Sequence, residues 1–115
     1  MSTYPRRVVL VNGETFAASD IKYCDAQIAF QPFGRLVIGY EFAGSGTLSI
    51  ALEHQTPSGE WAAPGDTAIV TGVSAPAAPV IDSYGITWGT NVRWKIWEAG
   101  GAATLTSLYV WIDLA

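Results

Sequence analysis

Asn91-Val-Arg-Trp-Lys-Ile-Trp97, the break Glu98-Ala-Gly-Gly-Ala102 and the return from Thr104 to Asp113 decide how this chain folds. Side chains alternate across an extended strand, so Val92, Trp94 and Ile96 share one face and Arg93, Lys95 and Trp97 the other. The two glycines supply the chain reversal. In the return segment Leu108, Val110 and Ile112 lie on one face and Tyr109 and Trp111 on the other. Two long aromatic strands joined by a Gly-Gly turn predict a hairpin at the centre of an antiparallel sheet.

The same period of two recurs upstream. Arg7–Val11 is a short apolar strand, and Asn12-Gly13 predicts a hairpin returning through Glu14–Ala18. Ser19–Ala26 reads as irregular, with at most one helical turn. Gln27–Gln31 alternates with Ile28 and Phe30 inward, and Pro32-Phe33-Gly34 turns the chain. Arg35–Phe42 places Leu36, Ile38, Tyr40 and Phe42 on one face. Gly44-Ser45-Gly46 then reads as a hairpin turn into Thr47–Glu53, with Leu48, Ile50 and Leu52 inward. A turn at Thr56–Glu60 lands on Trp61, and Thr67–Val73 is β-branched. Ser74–Val80, with Pro76 and Pro79 among alanines, is an extended crossing between sheets. Tyr84, Ile86 and Trp88 alternate once more.

Eight or nine short strands with regular turns and no three-turn helix predict an all-β chain. The expected architecture is an antiparallel β-sandwich, jelly-roll-like, over residues 7–115 behind a polar arm at 1–6. Its core should contain Ile38, Leu48, Ile50, Leu52, Val92, Trp94, Ile96, Val110 and Ile112.

With 115 residues the chain has the length of one domain. Half of it is hydrophobic and only 14% is charged, against roughly 25% in typical soluble domains. Either the core is unusually complete or other chains cover some apolar surface. A net charge of −4 with scattered acids shows neither a nucleic-acid footprint nor a basic membrane-binding face. A single cysteine, Cys24, forms no internal disulfide. The N-terminus lacks the apolar core of a signal peptide, and no run approaches a membrane span, so a soluble, cytoplasmically made protein is expected.

Reactive groups are sparse. Cys24 and His54 are the only thiol and imidazole, and nothing around them resembles a nucleophile–base pair. Asp20 with Asp25, and Glu60 with Asp66, flank loops without the dense oxygen spacing of a calcium site. No phosphate-binding glycine motif is present. No catalytic, cofactor-binding or metal-ligating residue is expected, and the chain reads as a non-enzyme. The compositional excess is five tryptophans. Trp97, Tyr109 and Trp111, beside Arg93 and Lys95, predict an outer aromatic face for protein contact, with a sugar platform as the alternative. Tyr4, Arg6 and Arg7 of the arm are further interface candidates, expected to dock on a neighbouring subunit.

The second half resembles a pattern in small virion proteins of tailed bacteriophages. It consists of a strand like Leu48-Ser-Ile-Ala-Leu-Glu53 running into a turn like Thr56-Pro-Ser-Gly-Glu-Trp61. A strand like Asn91-Val-Arg-Trp-Lys-Ile96 and a Gly-Gly turn into Leu105–Leu114 follow. The resemblance spans residues 46–115 and carries no functional residue across. It implies a capsid decoration (cement) protein on the outer capsid surface, bound to the major capsid protein and to copies of itself as a homotrimer. Tail or head–tail connector components, and a carbohydrate-binding module taking a glycan, are the alternatives.

Overall fold

The computed structural model describes residues 6–25, 35–63, 68–85 and 91–114. The expected strand at 27–31, the turn at 32–34, Asp66, Ile86, Trp88 and Tyr4 lie outside the described residues, as do the side chains of Arg6, Asp25 and Leu36.

Nine strands are present among the described residues: β1 (Arg6–Phe16), β2 (Ile21–Asp25), β3 (Arg35–Ala43), β4 (Leu48–Gln55), β5 (Trp61–Ala62), β6 (Val70–Val73), β7 (Val80–Gly85), β8 (Val92–Glu98) and β9 (Leu105–Leu114). One sheet has the order β1-β9-β3-β7. The other runs β2-β8-β4-β5, with β6 also paired to β4. All pairings are antiparallel.

The pairs β1·β9, β2·β8, β3·β7 and β4·β6 are nested like the two arms of one long hairpin, and they fall alternately in the first and second sheet. Pairing of β9 with β3 and of β8 with β4 closes each sheet. A long antiparallel ribbon rolled in this way is a jelly roll.

The inner faces meet in one core. All nine residues expected there are buried, with Trp94, Ile38, Ile50 and Ile96 wholly inaccessible to solvent. Leu10, Val11, Phe16, Leu105 and Leu108 complete it from β1 and β9. The crossing at 74–79 leads from β6 in one sheet to β7 in the other, as its composition predicts.

Several local expectations are overturned. The C-terminal segments do not form a hairpin: β8 and β9 lie in different sheets. Their apolar faces meet across the core instead of side by side, so the Gly-Gly segment bridges the two layers. Gly44-Ser45-Gly46 likewise joins β3 of one sheet to β4 of the other, and Gly46 N–H donates to the Thr104 carbonyl (2.8 Å) beside that bridge.

Asn12-Gly13 does not reverse the chain. β1 runs straight through it, with register shifts at Val9/Val11, Asn12/Glu14 and Glu14/Phe16. Gly13, at φ +70°, takes the left-handed conformation that a glycine bulge requires. Ser19–Ala26 is not irregular throughout, since 21–25 form β2. Its period was obscured because Ile21 and Tyr23 are outward while Lys22 reaches Glu14 of β1 (2.6 Å). A charge aimed off the sheet at an edge strand deters pairing with other chains.

Glu98 fastens one end of the sandwich. It is 1% exposed, yet its carboxylate accepts four backbone N–H groups: Ser19 (3.0 Å), Thr47 (3.1 Å), Gly100 (2.6 Å) and Gly101 (2.8 Å). These belong to the three connections β1–β2, β3–β4 and β8–β9, each of which changes sheet. The Ser19 bond leads in holding this carboxyl down to a pKa of about 2; burial opposes it, and the other three N–H groups add to it. Gly100 is needed at this point, because a Cβ there would sit 2.7 Å from a Glu98 oxygen.

Candidate functional site

The two outer faces of the sandwich carry its exposed aromatic side chains. On the first sheet, Val9, Trp111, Gly39 and Ile81 are direct cross-strand neighbours and form a row spanning all four strands. Val9 is 51% and Ile81 63% exposed, both high for aliphatic side chains. Between them the Trp111 indole lies against Gly39, in the space a Cβ would occupy.

Tyr109 sits likewise against Gly13 of β1. Arg7 makes a bidentate ion pair with Asp113 (2.8 and 3.0 Å) and holds its guanidinium 5.6 Å from the Trp111 ring centre. That pairing raises the Arg7 pKa and lowers that of Asp113. Val9, Ile81, Tyr109, Trp111 and Glu41 line an open groove of about 560 Å³.

The second sheet presents a different chemistry. The Arg93 guanidinium is stacked between Tyr23 (3.9 Å to the ring centre) and Trp61 (4.3 Å), and its Nε donates to Glu53 Oε1 (2.8 Å). Register explains the assembly, because Arg93 pairs with Glu53 on β4, which also carries β5 and Trp61 along its edge. Further along β8, the Lys95 ammonium stands 4.4 Å from the centre of the Trp97 ring. A groove of about 370 Å³ is lined by Trp61, Trp97, Ala51, Ala63 and Ala68, together with Glu53 and Lys95. Trp61 also borders a second hollow of about 390 Å³ with Tyr23, Gln55, Asn91 and Arg93.

The interface residues expected on one hairpin face are therefore divided. Tyr109 and Trp111 lie on the first sheet; Arg93, Lys95 and Trp97 lie on the second, pointing the opposite way. Arg7 joins the Trp111 cluster and is engaged within its own sheet. Arg6 contributes backbone pairing with Leu114. The sequence reading missed Val9 and Ile81 on one face, and Tyr23 and Trp61 on the other. Exposed aliphatics leave no local mark in a sequence, and the role of Trp61 depends on β5 pairing, a contact two residues long.

Cys24 has its Sγ 3.6 Å from the Leu10 carbonyl, and burial pushes its thiol pKa up, the reverse of an activated cysteine. His54 is on β4, paired with Ala62 and Val92. Asp20 accepts from Ala17 N–H in its own turn (2.9 Å). Among the described residues no cluster of three or more His, Cys, Asp or Glu side chains is disposed to hold a metal. Comparison with protein-family models, curated proteins and solved structures yields no match to this chain.

Proposed function

We propose that this protein is a structural virion component, a decoration protein that binds the assembled shell of a bacteriophage capsid and has no catalytic role. The phage setting rests on the resemblance of residues 46–115. The mode of action rests on the row Val9–Trp111–Gly39–Ile81, which puts aliphatic and aromatic surface across the full width of a sheet. Surface of this kind favours association, and its Trp, Tyr and Arg are the residue types in which interface hot spots are enriched.

In this reading the first sheet's outer face packs on the major capsid protein or on a second copy, within a homotrimer. The protein is made in the host cytoplasm and ends on the outer capsid surface. A tail or connector component would use the same face in the same way.

The test is the pair of substitutions Val9→Asp and Ile81→Asp, which charge both ends of the row without entering the core. Sedimentation equilibrium should give a trimer for the wild type and a monomer for the double variant, with the thermal midpoint kept. Co-sedimentation with shells of the encoding phage should be lost in parallel. A double variant that assembles and binds shells like the wild type overturns the proposal.

A further inference from the structure

We infer that the outer face of the second sheet holds a binding site for a pyranose sugar, in the groove lined by Trp61 and Trp97. This site is independent of the assembly reading, because it faces away from the Val9–Ile81 row.

Three features of the groove select the ligand class. Its lining combines two indoles with alanines, Ala51, Ala63 and Ala68, whose small side chains leave room beside the rings. The C–H face of a sugar ring is apolar and flat, and it packs on an indole as other apolar surface does. The polar groups come next. Glu53 lines the groove and gives Oε1 to Arg93 (2.8 Å), while Oε2 makes no hydrogen bond among the described residues and can accept one from a hydroxyl. Lys95 makes no ion pair among the described residues and holds its ammonium donors 4.4 Å from the centre of the Trp97 ring. A hydroxyl both donates and accepts, so an acceptor and a donor flanking an aromatic slot match a polyol.

Glu53 is already paired with Arg93, so the unpaired charge lining the groove is that of Lys95, which disfavours cationic ligands. A groove of about 370 Å³ lies near the small end of the range for small-molecule sites, roughly 300–1,000 Å³, and takes one or two rings. The Tyr23–Arg93–Trp61 stack holds Trp61 in place in advance, with the guanidinium 4.3 Å from its ring centre. Rigid walls reduce the ordering cost of binding.

The experiment titrates the intact, isotope-labelled protein with methyl glycosides of glucose, galactose, mannose and N-acetylglucosamine, following the five indole N–H resonances. At least one glycoside should shift Trp61 and Trp97 in a saturable manner while Trp94 and Trp111 stay in place. Trp97→Ala should weaken binding tenfold or more, and Trp97→Tyr should restore most of it. Where Trp97→Ala loses the fold, Lys95→Ala serves instead, with a several-fold loss expected. No response to any of these glycosides, or a response confined to Trp111, overturns the inference. So does a Trp61/Trp97 response to capsid shells alone.

Discussion

Trp111 occupies the space above Gly39, the residue directly opposite it on the neighbouring strand. An outward indole in the middle of a sheet would otherwise stand in water; here its ring covers backbone that glycine leaves bare. Arg7 closes over the same ring from β1 while paired with Asp113. One aromatic side chain thus joins three strands of the sheet whose outer row carries the proposed interface.

Gly39→Ala tests that arrangement. The added methyl has no room unless the indole moves, and overpacking of this kind costs about 1–3 kcal/mol. Chemical denaturation should show this loss, together with a change in tryptophan emission as the ring lifts. An unchanged midpoint and spectrum would mean that the indole is not seated there.

The core prediction follows from Trp94, which is inaccessible to solvent at the centre of β8. Trp94→Ala should cost about 3–5 kcal/mol through lost burial and the cavity left behind, and Ile50→Ala about 2–5 kcal/mol. Trp94→Phe should cost much less than Trp94→Ala. It keeps most of the ring and removes an indole N–H that has no hydrogen-bond partner among the described residues. Equal costs for the two Trp94 variants would contradict the observed packing.

Glu98 makes stability sensitive to acid. Its carboxyl titrates near pH 2 in the fold against 4.5 for the free side chain. A lowered folded value contributes stability that is fully present above about pH 4.5 and lost as pH falls towards 2. Glu14 and Asp113 are lowered through Lys22 and Arg7 and act in the same direction, more weakly because their ion pairs are partly exposed. Glu98→Gln should destabilise at neutral pH by on the order of 3 kcal/mol, since the amide cannot accept four N–H bonds as a carboxylate does. It should also flatten the decline of the thermal midpoint between pH 5 and 2. A variant with the wild-type acid profile would refute this role.

Much of the sandwich was legible in the sequence because inward and outward residues alternate. That period places Val92, Trp94 and Ile96, or Leu48, Ile50 and Leu52, on one face whatever the strand order. It cannot tell whether two strands lie side by side or across a core, and so β8 and β9 read as a hairpin. A strand bearing one apolar face satisfies both arrangements. Asn12-Gly13 misled for a related reason: glycine at positive φ serves a bulge as well as a turn, and only the pairing of β1 with β9 separates them. The outer faces were half legible. Trp97, Tyr109 and Trp111 are marked by their position in the alternation, whereas the Tyr23–Arg93–Trp61 stack needs three strands brought together by long-range pairing.

The division of those aromatics between two faces has its own consequence. Trp97 pairs with Ser49 and Ile21 in one sheet, and Trp111 pairs with Val9 and Gly39 in the other. They share no neighbour, and the packed core lies between them. Substitutions at separated sites add within about 0.3–0.5 kcal/mol, whereas contacting residues deviate by more. Trp97→Ala and Trp111→Ala should therefore combine additively in urea denaturation. They should also separate in function: Trp111→Ala lowers assembly mass and shell binding, and Trp97→Ala leaves both unchanged while affecting sugar binding alone. A coupling energy above about 1 kcal/mol would place both rings in one patch. That result would restore a single aromatic face and contradict the strand order from which both functional readings start.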